Sequence, residues 1–165
     1  MSAGNKTLIL DHDAILLKLE RIACEICEKH TQSQSIVICG MNSRGFFIAG
    51  QLAAHIKNIL PSLQIELVQV TAEGGMPAFS PQTNFTGKSV VVADDVINTG
   101  KTLMQVVNSI FNQQPASIET AFLAKREHRN YPVKADYFGI SLATTLQEHV
   151  YFDNSVPHAL QVYLN

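Results

Sequence analysis

The chain lacks the material for several kinds of protein. It has only three cysteines, an odd count too small for a disulfide framework and typical of a reducing compartment. No apolar run approaches the length of a membrane span, and the opening MSAGNKT contains no signal-peptide core. A cytoplasmic protein without membrane contact is therefore expected. Charge is sparse: 16% of residues carry it and the formal net charge is −2, which supplies no global attraction to nucleic acid. The six histidines show neither HxH nor HExxH spacing, so no metal cage built from protein side chains is expected. Linkers and repeats are missing as well. At 165 residues, residues 1–165 are expected to form one domain with a substantial core.

What is present alternates between strand and helix periods. Thr7 to Leu10 reads as a short strand, and Asp11 as the cap of a helix to about Lys29 with Ile15, Leu19, Ile22 and Ile26 on one face. Ser35 to Cys39 reads as a buried strand, Gly45 to Leu60 as a helix stopped by Pro61, and Gln64 to Thr71 as a strand. Ala72 to Thr86, rich in glycine and proline and without a clear period, reads as a long loop, and such loops are usually functional. Further strands are expected at Ser117 to Ala124, Ala135 to Ile140, Val150 to Phe152 and Leu160 to Leu164. Repeated strand and helix units predict an α/β fold with a mostly parallel sheet covered on both faces.

The most informative stretch is VVVADDVINTGKT, Val90 to Thr102. Three β-branched valines suit a buried parallel strand, Asp94 and Asp95 follow at its carboxyl end, and Thr99, Gly100, Lys101 and Thr102 open the amphipathic segment Leu103 to Phe111. Helix N-termini bind phosphate through free N–H groups. The two carboxylates can accept hydrogen bonds from vicinal ribose hydroxyls while the turn holds a 5′-phosphate. A P-loop is excluded because Asp95 stands where its first glycine would be. The order acid, acid, two apolar residues, any residue, Thr-Gly resembles the phosphoribosyl pyrophosphate (PRPP) motif of type I phosphoribosyltransferases.

Two other loops extend the pattern. The strand ending at Cys39 runs into GMNSRG, where Met41, Asn42, Ser43, Arg44 and Gly45 precede a helix and could bind a second anion through backbone donors and the Arg44 fork. The resemblance makes this the pyrophosphate loop. In FLAKREHRNYPVKADYFG, Phe122 to Gly139, a basic cluster follows a strand. With the opening LDHDAILLKLERIACEICEKH, it resembles the pyrimidine-operon attenuator and uracil phosphoribosyltransferase family from about Leu10 to Phe152.

That resemblance implies a type I phosphoribosyltransferase fold with a long mobile loop over the active site. It also implies transfer of a phosphoribosyl group from PRPP to a base nitrogen, with Mg²⁺ bridging PRPP oxygens and pyrophosphate leaving. Arg44, Asp94 and Asp95 become the expected catalytic residues, and Asn98 to Thr102 the 5′-phosphate turn. Val96, Asn98, Lys125 and Arg126 become candidates for the base. Asn98 stands where purine-specific relatives place an aspartate, and Lys125-Arg126 resembles the step by which they read an oxo group. Uracil is favoured, with hypoxanthine or guanine as the alternative. The family's loop usually carries an aromatic-arginine-acid segment, whereas Glu73 to Thr86 contains no Lys or Arg; a non-catalytic PRPP or nucleotide sensor is the competing class. Leu16, Leu17, Glu20 and Cys24 occupy much of the helix surface that carries RNA-binding cations in attenuating relatives, so RNA binding is not expected. The family suggests a homodimer or larger homo-oligomer. Cys24 and Cys27 have CxxC spacing inside a helix, where core packing is the expected role.

Overall fold

Alternating burial along the strands sets the layers. A computed structural model describes residues 6–145 and 147–165; the rest of MSAGNKT, residues 1–5, lies outside the described residues. In β2 (Ser35–Met41), Ile36 and Ile38 enter one apolar cluster while Val37 and Cys39 enter another. In β5 (Ser89–Ile97), Val91 and Ala93 join the first cluster, and Val90 and Val92 the second. A strand buried on both faces by its period of two needs cover on both sides. Helices α1 (His12–Lys29) and α2 (Asn42–Ile59) cover one face with Ile15, Leu19, Ile22, Ile48, Leu52 and Ile56. Helix α3 (Lys101–Phe111) covers the other with Leu103, Val106 and Ile110.

The main sheet also contains β3 (Gln64–Thr71), β4 (Ala78–Ser80), β6 (Ser117–Arg126) and β7 (Tyr137–Leu142), in the order β4-β3-β2-β5-β6-β7. All neighbours are parallel except β3 and β4. From β2 the chain moves outward to β3, then crosses back to place β5 on the other side of β2. The direction of winding reverses between β2 and β5. A crevice opens at the carboxyl ends of the strands flanking such a switch point, and ligands of open α/β sheets bind there.

Four differences from the periodicity reading bear on the site. Helix α2 begins at Asn42, so the GMNSRG loop is the end of β2 and the first turn of α2. Strand β5 runs to Ile97, which puts both aspartates inside the strand. Strand β7 is shifted two residues along, to Tyr137–Leu142. The expected long loop is shortened, because Ala78, Phe79 and Ser80 pair antiparallel with Thr71, Val70 and Gln69. Phe79 meets the buried Phe85 edge-to-face at 5.0 Å, which anchors that strand on the β3 edge.

The terminal strands form a sheet of their own. Strands β1 (Thr7–Leu10), β9 (Gln161–Leu164) and β8 (Val150–Asp153) pair antiparallel in the order β1-β9-β8. Its Val150, Phe152 and Val162 enter the cluster formed by α1 and α2, and the Phe152 ring lies 6.0 Å from Phe47. Cys27 packs in that cluster, where burial, and then Cys24, raises its thiol pKa.

Candidate active site

Two helix N-termini and a pair of carboxylates converge on the switch-point crevice. Asp94 Oδ1 accepts the Asp95 N–H at 2.8 Å, and Asp95 Oδ1 accepts the Val96 N–H at 2.8 Å. Burial, and then the adjacent Asp95 charge, hold the Asp94 carboxyl well above the ordinary carboxylate range. The first turn of α2 presses against this strand through Gly45, where an added Cβ would stand 2.8 Å from Asp94 Oδ1.

The helices facing the crevice are left open at their starts. Helix α1 is capped by Asp11, whose Oδ1 accepts the Ala14 N–H at 2.9 Å, and carries Asp13 in its first turn. Helices α2 and α3 have no side-chain bond from the N-cap residue and no acidic residue in the first turn; at α3, among the described residues, only the Lys101 N–H has a side-chain partner, Thr99 Oγ1 at 3.3 Å. The N-cap position of α2 is Met41, which has no capping oxygen, and the first helical residue, Asn42, adopts φ 53° and accepts the Ala72 N–H through Oδ1 at 3.1 Å. Uncapped N–H groups with the positive end of the helix dipole make an anion site.

The turn before α3 is held from behind. Gly100 starts the helix at φ 84°, in the left-handed region. The Thr99 carbonyl accepts N–H bonds from Asn130 at 3.0 Å and Tyr131 at 3.3 Å. An added Cβ on Gly100 would meet Val133 Cγ2 at 2.6 Å, so the segment after β6 braces the turn closely.

A cavity of about 220 Å³ unites most of the expected PRPP residues. Met41, Asn42, Asp94, Asp95, Asn98, Thr99, Gly100, Lys101 and Thr102 line it, with Val96 from the base candidates. Ile97, Leu103 and Phe122, absent from the expected set, complete the wall. Their apolar side chains gave no chemical signal; only the register that sets Phe122 beside Asp94 brings that residue in. Ser43 and Arg44 are exposed on α2 and do not line this cavity, nor does the buried Gly45. The Arg44 charge nevertheless acts on both Asp94 and Asp153.

Two further spaces adjoin it. One, of about 590 Å³, lies between Asn42, Lys101, Thr102 and Gln105 and the Ala72 to Gly75 segment. The other, of about 290 Å³, shares Asn98 and Thr99 with the first cavity and adds Arg126, His128, Asn130, Thr144 and Thr145. Sequence reasoning singled out the basic loop containing His128 but missed Asn130, Thr144 and Thr145. The remaining base candidates are already engaged: Lys125 Nζ lies 4.0 Å from the centre of the Phe138 ring. Arg126 donates to Thr144 Oγ1 and to the Thr145 carbonyl. Among the described residues no group of three or more His, Cys, Asp or Glu side chains could hold a metal.

Residues 6–159 match the family model described as Phosphoribosyl transferase domain. The chain belongs to that phosphoribosyltransferase family. Curated relatives of this phosphoribosyltransferase include the Bifunctional protein PyrR of Haemophilus influenzae strain PittEE, 33% identical over 158 residues, covering 87% of this chain and 88% of the relative. The protein of the same name from Macrococcus caseolyticus is 30% identical over 172 residues, covering 97% and 99%. These matches bear out the resemblance read from the three loops. The hypoxanthine phosphoribosyltransferase of Trypanosoma cruzi superposes with a TM-score of 0.77 at 16% identity, covering 94% of this chain and 95% of that one. A hypoxanthine-guanine phosphoribosyltransferase from Bacillus anthracis gives 0.75 at 20% identity, covering 94% and 97%. At those identities the structures establish the shared fold. No helix of the described residues is long and apolar enough to cross a membrane.

Proposed function

We propose that this protein transfers the phosphoribosyl group of PRPP to a nucleobase, with uracil favoured, giving a nucleoside monophosphate and pyrophosphate. The observation that carries the reading is the meeting of an acidic strand end with two uncapped helix N-termini on one cavity. The 5′-phosphate sits on the N–H groups of Asn98 to Thr102 at the start of α3. The ribose hydroxyls donate to Asp94 and Asp95, and the pyrophosphate lies along Met41 to Gly45. The likeness of α1 and of the basic loop Phe122 to Gly139 to the uracil phosphoribosyltransferase family supports a pyrimidine base. As in its family, the protein is proposed to act as a homodimer or larger homo-oligomer.

Magnesium fits this donor set. Two adjacent carboxylates, one raised by burial and by its neighbour, offer hard oxygen atoms whose charge a cation would relieve. Among the described residues no group of three or more such ligands could hold the ion unaided, so it would be held together with PRPP. When bound, the ion neutralises charge on the leaving pyrophosphate.

The chain's own contribution is electrostatic positioning. Positive charge grows on the ribose and negative charge on the pyrophosphate as the glycosidic bond breaks. Donors already aimed at the developing charge need no reorganisation. Asp94 and Asp95 orient the ribose, and Arg44 in the first turn of α2 supplies positive charge on the pyrophosphate side. The Ala72 to Pro77 segment, rooted by the Asn42 bond, excludes water that would hydrolyse PRPP.

Pyrophosphate release from PRPP should be measured against uracil, guanine, hypoxanthine, adenine and orotate. Turnover with uracil above the others is expected; turnover with a purine instead overturns the base assignment. The absence of Lys and Arg from Glu73 to Thr86 favours a second reading, a non-catalytic sensor of PRPP or nucleotide. Binding of PRPP without release on any base would establish that reading instead.

A further inference from the structure

The end of β6 and the segment after β7 are joined by a network with no role in the transfer described above. Arg126 Nε donates to Thr144 Oγ1 at 2.7 Å, and Nη2 donates to the Thr145 carbonyl at 2.8 Å. From the other side, Glu148 Oε2 accepts the Thr145 N–H at 2.7 Å and the Thr145 hydroxyl at 3.0 Å. Those two bonds hold the Glu148 carboxyl below the usual carboxylate range. Nearer the strand, the Glu127 N–H donates to the Leu142 carbonyl at 3.3 Å, and the Ser141 hydroxyl donates to Glu127. Solvent satisfies an ordinary surface loop, whereas Thr145 is held by charged groups from two directions and Thr144 by Arg126.

The clamped residues form one wall of the cavity of about 290 Å³, opposite Asn98 and Thr99. Asn98 and Thr99 belong equally to the cavity assigned to the ribose phosphate, so this is the adjoining space a base would enter. The amides of Asn98 and Asn130 can donate and accept, the Thr144 hydroxyl, accepting from Arg126, keeps its proton to donate, and the Thr145 hydroxyl, donating to Glu148, keeps acceptor capacity, a mixture that the edge of a nucleobase requires.

We propose that Arg126 is a positioning residue for base selection: by fixing Thr144 and Thr145 it sets the wall of the base cavity and does not itself read the base. The inference rests on the phosphoribosyl-transfer reading. Arg126 uses two edges of a planar fork, one on a hydroxyl and one on a carbonyl, and a lysine ammonium cannot reproduce that pair of directions. Loss of either bond should loosen the wall while leaving the phosphate turn, braced separately by Asn130 and Tyr131, in place.

The test compares wild type with R126K, T144V and T144S, varying uracil and PRPP separately and following hydrogen exchange of residues 141–149 on the same preparations. R126K and T144V are expected to raise KM for uracil about tenfold, equivalent to about 1.4 kcal/mol. They should leave KM for PRPP unchanged and speed exchange at 143–148. T144S keeps the acceptor oxygen and is expected to recover the uracil KM lost in T144V. An active wild type whose R126K and T144V variants keep the same uracil KM overturns the proposal, as does an equal rise in both KM values, the mark of general loosening. A wild type that turns over no base contradicts the transfer reading, and the base-selecting role falls with it. In that case the exchange data still report whether Arg126 holds the segment.

Discussion

Gly45 in the first turn of α2 and Asp94 near the end of β5 are in direct contact: an added Cβ on Gly45 would stand 2.8 Å from Asp94 Oδ1 and 2.8 Å from the Ala93 carbonyl oxygen. The first turn of α2, proposed to hold pyrophosphate, and the carboxylates proposed to hold the ribose are thus a single packed unit. Gly45→Ala should cost about 1–3 kcal/mol of stability through overpacking and, by displacing the Asp94 carboxylate, weaken PRPP about tenfold. Thermal melting and calorimetry on one preparation check both. Wild-type affinity in the variant would show that the two turns act independently.

The Asp94 carboxyl gives a pH signature. Burial and Asp95 raise its pKa in the folded protein, so the folded state keeps a proton that the unfolded chain has already lost. Stability that is present below the ordinary aspartate pKa therefore falls as pH rises toward the raised value. Asp94→Asn should flatten that slope. Ribose hydroxyls donate to an ionised carboxylate, so in the pH window between the ordinary aspartate pKa and the raised one, PRPP binding should release a proton from wild type and none from the variant. Titration calorimetry in two buffers of different ionisation enthalpy measures the release; equal proton counts for the two proteins would contradict this account of Asp94.

Arg44 is exposed yet its charge reaches Asp94. If it follows charge onto the leaving pyrophosphate, Arg44→Ala lowers kcat more than it weakens ground-state PRPP binding. Rate and affinity measured together check the split. A folded variant with full turnover would remove Arg44 from the mechanism.

Glu119 offers a contrast away from the cavities. Its buried carboxylate is bonded by His30 Nε2 at 2.8 Å and by the Tyr137 hydroxyl at 3.3 Å, and is paired with Lys29. Burial, with Glu119 next, pushes the Tyr137 hydroxyl pKa up. Glu119→Ala leaves buried polar partners unsatisfied and should cost about 1–3 kcal/mol. Turnover per folded molecule should be unchanged, as kinetics normalised to the folded fraction will show; a selective loss of turnover would tie this cluster to the site.

The parts of the fold legible in the sequence were those written in local periods. Val90 to Val92, the two aspartates and the Thr-Gly turn lie within one continuous stretch, so their order was enough to place the cavity. What escaped depends on partners distant in the chain. The Ala78 to Ser80 strand exists because the β3 edge is free to pair and Phe85 is there to receive Phe79. The early start of α2 at Asn42 is accompanied by a bond from Ala72, thirty residues away. The separate sheet of β1, β8 and β9 joins the two ends of the chain. The basic loop after β6 was visible as charge, but the engagement of Arg126 by Thr144 and Thr145 was not. Hydrogen-bonding residues spaced without a period carry no signature of their own.

Calorimetric titration of magnesium-PRPP into wild type and into the D94A/D95A double variant tests the central claim most directly. Each carboxylate accepts charge-assisted hydrogen bonds worth roughly 1.5–3 kcal/mol. Wild type should bind and the variant, still folded by its melting curve, should lose affinity at least about a hundredfold. Equal affinity in the two proteins would contradict the assignment of the ribose to Asp94 and Asp95.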